Sequence, residues 1–148
     1  MHNEGFVSVY HNSDHNRLDL ILNSLVEAVR EEKSFELQQS LFYLFKSGLL
    51  RHLHWEDTVL FPMFEQEMKL QDCPIQSLKY EHAEINLALS NIEDTLDNKI
   101  DLAKIIALAN YLDEHNTREE KQVYLAMEEI LDKDTQELMA VAISRDFK

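Results

Sequence analysis

Only two glycines, Gly5 and Gly48, and two prolines, Pro62 and Pro74, interrupt this chain of 148 residues. Sheets depend on frequent tight turns, and glycine and proline build many of them, so a chain this poor in breakers is directed toward long helices. The apolar pattern agrees. His15, Leu18, Leu22, Leu25 and Val29 recur at steps of three and four, as do Leu41, Phe45, Leu49, His52, Glu56, Val59 and Met63. A third stripe runs through Ile75, Leu78, His82, Ile85, Leu89, Ile92 and Leu96. The fourth takes Ile105, Leu108, Leu112, His115, Glu119, Gln122 or Val123, and Ile130. Each set falls on one face of a helix.

Capping residues divide the stripes. Residues 1–12 read as a lead-in, with Ser13 as the N-cap of the first helix and Asp14 in its first turn. Glu31 to Ser34 forms the next turn, and a long second helix runs from Phe35 to the Pro62 region. A connection from Gln66 to Pro74 leads to helix three, Asp97-Asn98-Lys99 ends it, and Asp101 caps helix four. Asp134-Thr135-Gln136-Glu137 has the form of a capping box. It opens a short C-terminal helix over 134–147, with Leu138 and Val141 expected to face inward. The length suits a single domain over 1–148.

The chain repeats itself. Asp14-His15-Asn16-Arg17-Leu18 aligns with Glu81-His82-Ala83-Glu84-Ile85, 67 residues later. His52-x-x-x-Glu56 aligns with His115-x-x-x-Glu119, 63 residues later, and each is followed by an apolar–aromatic pair, Leu60-Phe61 and Val123-Tyr124. Helices one and two therefore resemble helices three and four. The expected fold is all-α, an antiparallel up-down-up-down four-helix bundle with an internal pseudo-twofold axis.

Four imidazoles and two carboxylates lie within the apolar stripes: His15, His52, Glu56, His82, His115 and Glu119. They also share a level. In an antiparallel hairpin, residues equidistant from the turn sit side by side. The midpoint of His15 and His52 falls between Lys33 and Ser34, that of His82 and His115 between Asn98 and Lys99, and that of Glu56 and His82 within the Gln66–Pro74 connection. Without a cation this would be a buried polar cluster of high cost. Imidazole with carboxylate suits iron, zinc, manganese or copper, and two carboxylates can bridge two ions. Two histidines and two glutamates per ion would leave an octahedral iron room for a bridging oxo or hydroxo group and a small diatomic. His54 points away from His52 and is read as a non-ligand. Asp57 and Glu120 adjoin the ligands and are read as orienting them or facing solvent, and Tyr111 as packing.

At these residues the sequence resembles the hemerythrin-like, or HHE cation-binding, family. Asp14–Leu18 and Glu81–Ile85 match its acid-His-x-x-aliphatic element. His52–Phe61, with Asp57 for the second Glu, and His115–Tyr124 match its His-x-x-x-Glu-Glu element. The resemblance covers residues 11 to 130 and implies a non-haem di-iron centre on the six residues above. Oxygen carriers of the family have a further histidine one turn before His82. That place is Leu78 here, and its counterpart in the other half is His11, a candidate fifth imidazole. The departure favours members that handle iron or respond to oxygen, peroxide or nitric oxide over reversible oxygen carriage. A structural or buffering site for zinc or another divalent ion, and a metal-free helical interaction module, are the alternatives.

A net charge of −14 argues against nucleic acid or an anionic membrane as a partner, since both require a cationic face. Cys73 is the only cysteine, so no internal disulfide forms. Met1 to Asn12 lacks the basic-then-apolar pattern of a secretion signal, and no run of about 18 apolar residues occurs. These features lead to the expectation of a cytoplasmic protein.

Overall fold

The structure is a computed structural model. It describes residues 6–68, 74–96 and 99–130, together with Asp134, Glu137, Leu138 and Val141; side chains are described from residue 12, except at 67, 68 and 130. The described chain is helical. α1 spans Phe6–Arg30 and α2 Phe35–Trp55, which continues through a π-helical turn, Glu56–Leu60, into α3, Phe61–Met68. α4 spans Ile75–Asp94. α5 spans Leu102–Glu119 and passes through a second π turn, Glu120–Tyr124, into α6, Leu125–Ile130. These make four rods: α1, α2–α3, α4 and α5–α6. α1 packs on α2 and α5, and α4 packs on α5 and α2, closing a four-helix bundle.

The hairpin turns are set by local chemistry. Glu32 adopts a left-handed φ of 52°. The Glu32 amide then bonds to the Val29 carbonyl and the Lys33 amide to the Ala28 carbonyl, the Schellman pairing that closes a helix end. Ser34 caps α2 by accepting from the Leu37 amide, and Asp101 caps α5 by accepting from the Ala103 and Lys104 amides, both as expected. Buried Gln38 ties the two turns together, donating to the Lys33 carbonyl and accepting from the Ile100 amide.

Three expectations are corrected. Ser13 does not start α1, which begins seven residues earlier at Phe6. A hydroxyl cap contributes about 1 kcal/mol, and nothing between Phe6 and Ser13 breaks a helix, so each added residue gains an intrahelical bond instead. The helix thus runs through His11, whose side chain lies outside the described residues. The second rod, expected to end in the Pro62 region ahead of a connection from Gln66, continues to Met68. The π turn ahead of Pro62, closed by the Phe61 amide on the Glu56 carbonyl, lies where a proline ring would press on an α-helical carbonyl. Leu138 and Val141 are helical but 72% and 53% exposed, so they do not form the expected inward stripe. Two apolar residues on so short a segment do not by themselves specify a buried face.

The core has two parts. Leu18, Leu22, Leu25, Phe42, Phe45, Leu49, Ile85, Leu89, Ile92, Ile105 and Leu108 fill the end near the hairpin turns, with Tyr111 packed against them. Trp55, Leu60, Phe61, Phe64, Ile75, Leu78, Val123, Tyr124 and Met127 fill the other end. The π turn moves the buried stripe on by one position, so Leu60 and Phe64 are buried where Val59 and Met63 are only partly so. The chain's polar cluster lies between the two apolar parts.

Candidate metal centre

Each rod contributes to the cluster. α1 brings His15, α2 brings His52, the first π turn opens with Glu56, α4 brings His82, and α5 brings His115 and Glu119. All except half-buried His15 are buried. Glu56 holds His52 and His82 at once: its Oε2 lies 3.2 Å from His52 Nε2 and its Oε1 3.2 Å from His82 Nε2. Glu119 Oε2 lies 3.1 Å from His115 Nε2 and 3.3 Å from His82 Nε2. His15 Nε2 meets His52 Nε2 at 3.2 Å.

The outer nitrogens of three imidazoles are taken by carboxylates. His52 Nδ1 bonds to Asp14 Oδ2 at 2.8 Å, His82 Nδ1 to Asp57 Oδ1 at 2.8 Å, and His115 Nδ1 to Glu81 Oε1 at 2.7 Å. A proton fixed on Nδ1 leaves Nε2 to face the cluster, the orientation a metal-binding histidine needs. The Tyr124 hydroxyl donates to Glu56 Oε2.

Metal-free, protons balance the charges. Burial opposes ionisation of His52, yet the Glu56 charge and the Asp14 bond raise its pKa to about 10. Burial likewise acts against His82, but its bonds to Asp57, Glu119 and Glu56 raise it to about 11, and His115 is raised by Glu119 in the same way. His15 goes the other way: burial, then repulsion from His52, lowers it to about 3. A neutral His15 therefore accepts the Nε2 proton of His52. The two carboxylates also separate. Burial and the Glu56 charge push Glu119 up to about 7. Burial would raise Glu56 too, but His52 and the bond from Glu119 hold it well below the usual range.

The donors fit a cation. Single ligand atoms of Glu56, His82, His115 and Glu119 lie within 4.8 Å of one another, as do those of His15, His52 and Glu119. Ligands on opposite sides of an ion bound at about 2.1 Å are about 4.2 Å apart, so the spacing needs only small inward shifts. Buried His115 Nε2 faces Glu119 Oε2 at 3.1 Å. A buried imidazole nitrogen aimed at a carboxylate oxygen offers, once its proton leaves, a donor pair for one cation.

A family model for the hemerythrin HHE cation-binding domain matches residues 12–127. The chain belongs to the hemerythrin family. No curated protein and no solved structure matches it. In this hemerythrin domain the six residues singled out in the sequence come together, and exposed His54 lies apart from them. Asp57 is an orienting residue, as one of its two readings held. Sequence reasoning did not assign three partners: Asp14 on His52, Glu81 on His115 and Tyr124 on Glu56. The signal for the first two was present, since an acid precedes each repeated histidine. Its target on the facing helix becomes visible only in the packed bundle.

Proposed function

We propose that this hemerythrin-family chain holds two non-haem iron ions and uses them to handle iron or to bind or sense a small oxidant, whether oxygen, peroxide or nitric oxide. The observation that carries the reading is the pair of buried glutamates set among four histidines from four rods, with Glu119 common to both potential ligand groups. His15 and His52 would serve one ion and His82 and His115 the other, with Glu56 and Glu119 shared. Bound iron supplies a redox-active Lewis acid. The chain's own residues do the rest. Asp14, Asp57 and Glu81 orient imidazoles, Tyr124 holds Glu56, and Phe61, stacked on His82 at 5.3 Å, excludes water from that side.

Leu78, buried among Trp55, Phe61 and Tyr124, supports sensing or iron handling over oxygen carriage, because it brings no extra nitrogen to the place one turn before His82. Turnover of peroxide or nitric oxide at the centre is a subset of this reading. The nitrogen–oxygen donor set also suits zinc, which outcompetes ferrous iron at many such sites and would make the site structural or buffering. A cytoplasmic location belongs to the same proposal and rests on the single cysteine, which suits a reducing compartment. No helix among the described residues is long and apolar enough to cross a membrane. Metal analysis and an absorption spectrum of protein purified in air test the proposal. Two irons per chain and near-ultraviolet charge-transfer bands that change on adding peroxide or nitric oxide are the expected result. Colourless protein carrying zinc, or retaining its stability in strong chelator with no metal, overturns it.

A further inference from the structure

We infer that Arg17 and Arg118 are positioning residues for the metal centre, each acting through a carboxylate on the outer nitrogen of a histidine, and that Gly48 provides the clearance Arg17 needs. The inference rests on the metal-centre reading for its purpose but not for its geometry. In one half, Arg17 Nε and Nη2 lie 3.0 and 2.8 Å from Asp14 Oδ1, while Asp14 Oδ2 takes the His52 Nδ1 proton. In the other, Arg118 Nε and Nη2 each lie 2.9 Å from Glu81 Oε2, while Glu81 Oε1 takes the His115 Nδ1 proton. Asp14 gives one oxygen to its guanidinium and the other to an imidazole; Glu81 does so through its shortest bonds, with a longer 3.3 Å contact from Arg118 Nε to Oε1.

The repeat does not explain the arginines. The place equivalent to Arg17 in the second half is Glu84, and the place equivalent to Arg118 in the first is Trp55. Arg17 shares α1 with its carboxylate, whereas Arg118 shares α5 with its histidine. The two halves reach the same three-residue arrangement from opposite helices, which points to the arrangement as the thing required. Burial says when an arginine is needed. Asp14 and Glu81 are 6% and 13% exposed, so water cannot fully satisfy their second oxygens; Asp57, which does the same work for His82, is 40% exposed and has no arginine or lysine paired with it among the described residues.

Gly48 completes the first relay. It sits inside α2, one turn before His52, where glycine weakens a helix. A Cβ there would lie 2.8 Å from Leu18 Cδ2 and 3.2 Å from Arg17 Nη2. The equivalent place in the second half is Tyr111, where the guanidinium arrives from α5 itself and needs no such gap.

Two readouts test the inference. The first is proton NMR of chelator-treated protein with labelled histidine, following the hydrogen-bonded Nδ1 protons of His52 and His115. Arg17→Gln should broaden or shift the His52 signal only, Arg118→Gln the His115 signal only, and Gly48→Ala the His52 signal only; Arg17→Lys and Arg118→Lys should restore them in part. The second is competition of each variant with a chelator for zinc, where each Gln variant should bind about 10-fold more weakly and Arg30→Gln, at the hairpin end, as the parent does. Unchanged Nδ1 signals, or both signals lost together in every variant, overturn the relays. Selective signals with no change in zinc affinity would retain the geometry and overturn the link to metal.

Discussion

The Tyr124 hydroxyl donates a 2.8 Å hydrogen bond to Glu56 Oε2, joining the π turn of the fourth rod to that of the second. Its counterpart in the repeat is Phe61, which stacks on His82. One half therefore positions a carboxylate with a hydroxyl while the other covers an imidazole with a ring, so the two sides of the cluster are chemically unequal. Tyr124→Phe keeps the ring and removes the donor. A hydrogen bond to a charged group contributes about 1.5–3 kcal/mol, and metal-free protein should lose stability in that range in urea denaturation. An unchanged midpoint would mean that Glu56 does not use the hydroxyl.

Shared carboxylates should matter more than a neighbouring imidazole. Glu56→Ala and Glu119→Ala are expected to lose most bound metal, and His54→Ala, whose side chain is exposed, to keep it. Elemental analysis after equal loading checks this. Equal metal in all three variants would count against the ligand assignment.

Loading at neutral pH should release protons. His52 and His82, raised to about 10 and 11, carry protons that a cation must displace, and raised His115 and Glu119 add to them, so at least two are expected to appear in a weakly buffered indicator assay. The His52 and His82 shifts also set the pH dependence of the metal-free protein. Their stabilisation is complete below the unfolded histidine pKa of about 6.5 and is lost as pH rises toward 10 and 11. Metal-free protein should therefore weaken steadily from pH 7 to pH 10 in denaturant titrations. Metal-loaded protein, whose histidines have already given up those protons, should lack this decline over the same range.

The apolar end beyond the cluster should be sensitive to truncation. Phe64 is buried there, next to the bend made by the first π turn, and Phe64→Ala is expected to cost about 3–5 kcal/mol. Met63→Ala, one position away and only partly buried, should cost clearly less. Reversed effects in thermal or urea unfolding would place the buried stripe at Val59 and Met63 after all.

That contrast marks where the sequence was legible. Long unbroken stripes through Leu18 to Leu25, Leu78 to Ile92 and Ile105 to Leu112 announce helices, and the caps Ser34 and Asp101 mark turns because their chemistry is local. The π turn at Glu56–Leu60 was not legible: inserting it changes which neighbours face inward without changing the apolar composition, so His52 and Glu56 predict Val59 as well as Leu60. Ser13 misled because a capping residue permits a helix start and does not compel one. At the centre, residues related by repeat and level could be found by counting. Asp14, Glu81 and Arg118 could not be paired that way, because their partners depend on how α1 faces α2 and how α4 faces α5.

On the proposed reading, cations gather these six side chains between the two parts of the core. A crystal grown anaerobically with ferrous salt, with anomalous scattering recorded at the iron edge, tests it most directly. Two anomalous peaks are expected within bonding distance of His15, His52, Glu56, His82, His115 and Glu119. Absence of iron there, with the six side chains bonded only to one another or turned to solvent, would contradict it.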